Sequence, residues 1–81
     1  MNSKVAAFPL SRRRKLVSGI ANVLRSKQGE MATLFWRQTA QGLLRELAAN
    51  EIDLAAAEVE VRNLLYAVLA EIEAHAVSAK A

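Results

Sequence analysis

Cysteine is absent from the sequence, and histidine, proline and glycine are scarce, with one, one and three residues. The missing cysteine excludes disulfides, thiolate zinc sites and cysteine nucleophiles, and it favours a cytoplasmic location. No glycine-rich phosphate-binding loop is present. The single histidine, His75, follows Glu71 by four residues, but two side chains do not complete a metal site, and no sharp turn presents a serine to the imidazole. We therefore expect no enzymatic activity, no metal and no cofactor.

Long hydrophobic runs are also absent, because no stretch approaches the roughly 20 apolar residues that span a bilayer. The basic run near the start (Arg12, Arg13, Arg14 and Lys15) superficially resembles an export signal. The apolar stretch after it is interrupted by Arg25 and Lys27 and lacks a small-residue cleavage site. We expect a chain that is neither exported nor inserted into a membrane.

What is present is helical periodicity, in a chain of 81 residues that is 53% hydrophobic and rich in alanine. After a loose lead-in at about residues 1–10, apolar residues recur with helical spacing at about 12–27, 30–49 and 54–76. Both connections are short, which predicts an antiparallel hairpin of the second and third helices, with the first helix packed across it. The expected fold class is all-α, a single three-helix domain with a thin core.

Individual residues predict the ends of these helices. Ser11 is a suitable N-cap for the first helix, and Gly29 marks its end. Asn50 can adopt the left-handed conformation that closes the second helix, and Asp53 is a suitable N-cap for the third.

The expected core is formed by one apolar face of each helix. On the third helix this face follows the line from Leu54 to Ile72. It is formed by Leu54, Val61, Leu65, Val68 and Ile72, with Ala57, Leu64, Leu69 and Ala76 beside them. Phe35 and Trp36 are interpreted as core anchors of the second helix, since no other feature suggests that they stack on bases. On the first two helices the buried positions are expected at Leu16, Ile20, Val23, Leu24, Ala32, Trp36, Ala40, Leu43, Leu44 and Leu47.

Two features favour self-association. The apolar arc of the second helix is wide and has Phe35 on its flank, so it exceeds what one neighbouring helix covers. The third helix carries a second apolar stripe (Val59, Tyr66, Ala70 and Val77) opposite its core face. The alternative interpretation is that these residues are scattered surface apolars, which most proteins have. We expect a homodimer through the two stripes.

Charge is divided between the two halves of the chain. Residues 1–45 contain nine cations and one anion, whereas residues 46–81 contain seven anions and two cations. The basic run lies at the first turn of a helix, where cations oppose the helix dipole. Two interpretations stay open: the cations contact an external polyanion, or they pair with carboxylates of the third helix or of a second chain. Glu58, on the inward side of the third helix, is expected to pair with such a cation.

Two segments resemble an uncharacterised group of short helical proteins from rhizobia and related alphaproteobacteria. They are Phe8-Pro9-Leu10-Ser11-Arg12-Arg13-Arg14 near the start, and Glu60-Val61-Arg62 followed by Leu64, Val68, Glu71 and Ile72 near the end. The likeness covers most of the chain in order and spacing. It implies a three-helix fold and a bacterial cytoplasmic setting, and it implies no activity.

These observations favour a small cytoplasmic interaction module that forms a homodimer and binds a partner protein. The alternative is a nucleic-acid-binding accessory protein that uses the basic run. A helix-turn-helix at residues 43–65 is a poor candidate for that alternative, because Glu58 and Glu60 in its second helix would repel the DNA backbone.

Overall fold

The computed structural model describes residues 9–80, with side chains described for residues 9–76. This range contains a 3-10 turn (Leu10–Arg12) and three α-helices, α1 (Arg14–Arg25), α2 (Gly29–Ala49) and α3 (Leu54–Lys80). No strand occurs between residues 9 and 80. The 3-10 turn, α1 and α2 all pack on α3, and α2 and α3 form the expected hairpin. The predicted all-α fold is confirmed.

The beginning of α1 differs from the prediction. Ser11 is not its N-cap but lies inside the 3-10 turn, in which the N–H of Arg12 donates to the carbonyl of Pro9 at 3.0 Å. Pro9 has a φ of −58°, the angle its ring imposes, and this angle suits entry into a turn. The N-cap of α1 is Arg13, in an extended conformation and without a side-chain cap.

The other helix ends follow local hydrogen bonding. α1 ends at Arg25, two residues before the predicted end, because the hydroxyl of Ser26 donates to the carbonyl of Val23 at 2.7 Å and competes with the helical pattern. α2 begins at Gly29, whose φ of +57° only glycine adopts freely. α3 continues to Lys80, four residues beyond the predicted end, since no glycine or proline interrupts it.

The closure of α2 corrects one predicted residue. Glu51, and not Asn50, adopts the left-handed conformation, with a φ of 65°. The N–H of Ile52 donates to the carbonyl of Leu47 at 3.0 Å, and the N–H of Glu51 donates to that of Ala48 at 2.9 Å. These two bonds form a Schellman motif, in which the left-handed residue lies one position beyond the C-cap.

The N-cap predicted for α3 is confirmed. A carboxylate oxygen of Asp53 accepts the N–H of Ala55 at 3.2 Å. This bond satisfies one of the backbone donors that the first turn of a helix leaves free.

The core lies where the 3-10 turn and α1 meet α3. Its buried side chains are Leu10, Val17, Ile20, Ala21, Ala57, Val61, Leu64 and Val68. Ten partly buried side chains pack around this cluster, and they include Phe35 and Trp36. Leu10, the last residue of the expected lead-in, is only 4% exposed and belongs to this core. Residues 1–8 lie outside the described part of the chain.

The buried face of α3 is rotated from the predicted one. Val61 and Val68 are buried as predicted, but the centre of the face lies toward Ala57 and Leu64, which were predicted at its edge. It is about 50° around the helix from the line between Leu54 and Ile72. Because the 3-10 turn and α1 pack on this side, Leu54 is 63% exposed and Leu69 is 50% exposed. On α1, Val17 and Ala21 are buried, whereas Val23 is 36% exposed.

One hydrogen bond joins the start of the chain to the middle of α3. The N–H of Leu10 donates to Oε1 of Glu60 at 3.0 Å, across fifty residues of sequence, and the bond is partly buried. The carboxylate predicted to face inward was Glu58, but Glu58 is exposed, whereas Glu60, two residues further on, is half-buried. The rotation of the buried face explains this error.

Candidate interaction surface

The most extensive surface feature is the incomplete burial of α2. This helix has 21 residues and no buried side chain. Its expected core positions are all half-buried, and Met31 and Leu34 on its outer side are 57% and 45% exposed. The outer side of its first turns lines an open depression, formed by Gly29, Glu30, Met31, Thr33, Leu34 and Arg37. The contacts of α2 with the rest of the chain therefore cover only part of its apolar arc.

α3 also exposes apolar side chains on the flank away from the core. Val59, Tyr66 and Leu69 are 45%, 60% and 50% exposed, and Ala70 beside them is exposed as well. At 100° per residue these four side chains lie on one side of the helix. The apolar stripe predicted at Val59, Tyr66 and Ala70 is thus solvent-accessible in the single chain, and its fourth residue, Val77, lies outside the described side chains.

Leu69 is the member of this flank that the sequence pattern missed. The predicted core line placed Leu69 at the edge of the buried face, because apolar residues surround much of α3. A predicted buried face centred on Ala57 would have left Leu69 outside that face. The signal was weak, since alanine fits a buried or an exposed position equally well.

Phe35 lies in a different environment from the other three residues predicted for self-association. It is half-buried and packs against the core cluster, as Trp36 does. Phe35 therefore serves as a core anchor of α2, and the exposed apolar residues near it are Met31 and Leu34.

The basic run lies at the junction of the 3-10 turn and α1, and all four of its residues are exposed. Among residues 9–76, no side-chain hydrogen bond joins it to a carboxylate. The carboxylate that reaches this end of the chain is that of Glu60, and it binds the backbone of Leu10. Within the described residues, hydrogen bonding thus leaves these four cations to solvent or to another molecule.

Two other classes of site find no support among the described residues. Residues 9–76 contain no group of three or more metal-ligating side chains, so Glu71 and His75 gain no third ligand there. None of the helices found between residues 9 and 80 is long and apolar enough to cross a bilayer. The surface features that remain for a functional interpretation are the exposed apolar side chains of α2 and α3 and the basic run.

Comparison with known proteins places the chain in a family. The model of a family of unknown function, DUF6074, matches residues 1–81. The chain belongs to this family. Membership in DUF6074 agrees with the uncharacterised group that the two segments resemble, whereas the bacterial range and the motifs of that group stay predictions. No curated protein and no solved structure shows significant similarity to this DUF6074 chain.

Proposed function

We propose that this chain is a non-enzymatic protein-interaction module of the cytoplasm, which forms a homodimer through exposed apolar surface on α2 and α3. The observation that supports the proposal is that α2 has no buried residue, although one side of it is apolar along its whole length. Burial of apolar surface contributes roughly 25 cal/mol per Å². A second chain that covers this surface would therefore stabilise both partners.

A second copy is the partner that the apolar surfaces favour first. It has the same exposed residues and is present wherever the protein is, and most soluble oligomers are symmetric homo-oligomers. A domain of this size also has a small core, so a shared interface contributes a large fraction of its stability. A further protein partner could then bind whatever surface the dimer leaves free.

Sedimentation equilibrium over a wide range of protein concentration tests the homodimer. We expect self-association, and we expect the melting temperature to rise with protein concentration, because dissociation accompanies unfolding. Replacing the exposed Tyr66 by serine should weaken association while changing the stability of the single chain by no more than about 0.5 kcal/mol. A wild-type chain that stays monomeric throughout would contradict the proposal.

The second candidate function is nucleic-acid binding through the basic run. Its support is the exposure of four consecutive cations at a helix start, with no hydrogen-bonded carboxylate among residues 9–76. Phosphates placed there would relieve the unfavourable position of these cations at the positive end of α1. The proposed interaction surface on α3 does not use these residues, so both activities fit on one molecule.

Retention of random duplex DNA at several salt concentrations tests this second function. Replacing the basic run by glutamine should abolish retention and reduce the slope of log affinity against log salt by roughly three to four. The matched control replaces four other cations, namely Arg25, Lys27, Arg37 and Arg45. Equal losses from the two variants would show nonspecific attraction to a basic protein, and the proposed site would be wrong.

A further inference from the structure

One flank of α3 carries four side chains whose spacing is symmetric about its centre. The residues are Arg62, Tyr66, Leu69 and Glu73, separated by four, three and four positions. At 100° per residue they fall within an arc of about 60°. Tyr66 and Leu69 are 60% and 50% exposed, and Arg62 and Glu73 are exposed as well. The order is therefore cation, apolar, apolar, anion along one accessible line, which we call the α3 seam.

The order of charges along the α3 seam favours one direction of self-pairing. In a parallel pair each Arg62 would face the other Arg62, and each Glu73 would face the other Glu73. Reversing one helix removes both repulsions, because the symmetric spacing then places Arg62 opposite Glu73. Like charges held close across an interface oppose pairing, and complementary charges select the partner and its orientation.

Resting on the homodimer proposed above, we propose that two copies of this chain pair antiparallel through the α3 seam. Tyr66 of each copy packs against Leu69 of the partner subunit, and Arg62 of each copy forms an ion pair with Glu73 of the partner subunit. The two-fold axis passes between residues 67 and 68. The interface then has an apolar centre with charged pairs on both sides of it, the arrangement that protein interfaces commonly show.

The residues beside the α3 seam fit this register. Ala70, on one edge of the α3 seam, has a small side chain, so the helices can approach closely there. In this register residues 55–80 of the two helices overlap, which corresponds to about 39 Å at 1.5 Å per residue. The exposed Val59 lies toward one end of the overlap and extends the apolar contact.

Charge reversal tests the register. In the Arg62→Glu variant each introduced carboxylate would face Glu73 of the partner subunit, and in the Glu73→Arg variant each introduced guanidinium would face Arg62 of the partner subunit. Converting one attractive exposed pair into a repulsive one changes the Kd by a factor of about five, so the two symmetric pairs should raise it about twenty-five-fold. Sedimentation velocity at one protein concentration and low salt measures the dimer fraction, and far-ultraviolet circular dichroism verifies folding.

The decisive measurement is the mixture of the two variants. In a parallel seam each reversal alone would only replace one like-charge pair by another, so neither single variant would weaken the dimer. Weakening by each reversal therefore indicates an antiparallel seam, and the mixture then tests the two contacts of that seam. At one contact the introduced carboxylate of the first chain meets the introduced guanidinium of the second, and at the other contact the native Glu73 of the first chain meets the native Arg62 of the second. Both contacts are attractive, so mixing should restore the wild-type dimer fraction.

Mixing changes no contact within either chain, and a loss of helix stability therefore cannot mimic the recovery. The control variant is Arg25→Glu, the same charge change at an exposed site at the end of α1, outside the apolar surfaces of α2 and α3, which should leave the dimer fraction unchanged.

The possible outcomes separate this inference from the proposed function. A wild-type chain that never dimerises overturns both. A wild-type dimer that tolerates both reversals, or that is weakened by each and does not recover on mixing, overturns the antiparallel α3 seam and leaves the homodimer standing. Weakening by each reversal together with recovery in the mixture supports the seam.

Discussion

The hydrogen bond between Glu60 and Leu10 provides a sensitive test of how the chain holds its start against α3. The Glu60 carboxylate accepts the Leu10 N–H at 3.0 Å, and the Leu10 side chain beside it is only 4% exposed. Replacing Glu60 by alanine removes the acceptor and leaves this N–H without its partner. Hydrogen bonds to charged groups contribute about 1.5–3 kcal/mol, and partial exposure places this one near the lower value.

We therefore expect the Glu60→Ala variant to lose about 1.5 kcal/mol of unfolding free energy. The Glu60→Gln variant should lose roughly half as much, because its amide oxygen can still accept the Leu10 N–H but carries no charge. Urea denaturation followed by circular dichroism at one fixed protein concentration measures both values, with the slope against urea as a check on two-state behaviour.

The matched control for this prediction is Glu58→Ala, which removes an exposed carboxylate two residues earlier on the same helix. It should change the unfolding free energy by no more than about 0.5 kcal/mol. If Glu60→Ala proved no more destabilising than Glu58→Ala, the reasoning that this bond anchors the 3-10 turn would be refuted.

Three further predictions concern single substitutions, each measured by urea denaturation. Glu51→Gly should stabilise the chain by about 1 kcal/mol, since Glu51 is left-handed with a φ of 65°, and a loss would contradict the assigned closure of α2. Gly19→Ala and Gly42→Ala should each raise the unfolding free energy by roughly 1 kcal/mol, because both positions are helical and an added Cβ meets nothing within 4 Å. A loss of stability in either variant would show that a neighbouring group lies close to that position. Leu64→Ala should cost about 2–5 kcal/mol, as Leu64 is fully buried, whereas the same change at Leu54, 63% exposed, should cost much less; equal losses would contradict the assigned core.

Helical periodicity alone was enough to predict the number of helices and their approximate positions. The short connection between α2 and α3 then required a hairpin, and Asp53 identified the start of α3, because an aspartate at that position satisfies a free backbone donor. These features depend on residues close together in sequence. The closure of α2 was misplaced by one residue because asparagine adopts the left-handed conformation more readily than glutamate, and the hydrogen bonds of Ile52 and Glu51 outweighed that preference.

Which side of each helix is buried was harder to predict. α3 has apolar or small residues around most of its circumference, so several buried faces were compatible with the pattern. Docking of the 3-10 turn and α1 selected the face that contains Ala57 and Leu64. With this face buried, Leu69 is exposed, and Glu60 is half-buried in place of Glu58. A single-sequence pattern contains no information about which neighbour covers a helix that is apolar on two sides.

The sequence by itself determined the all-α class, the three helices, the missing thiol chemistry and the division of charge, because each of these follows from composition or from local spacing. Only the tertiary structure decided that Leu10 enters the core, that Glu60 binds the backbone of Leu10, and that the flank bearing Tyr66 and Leu69 stays exposed. These outcomes depend on contacts between segments up to fifty residues apart, and the energy of such contacts is set by which surfaces meet.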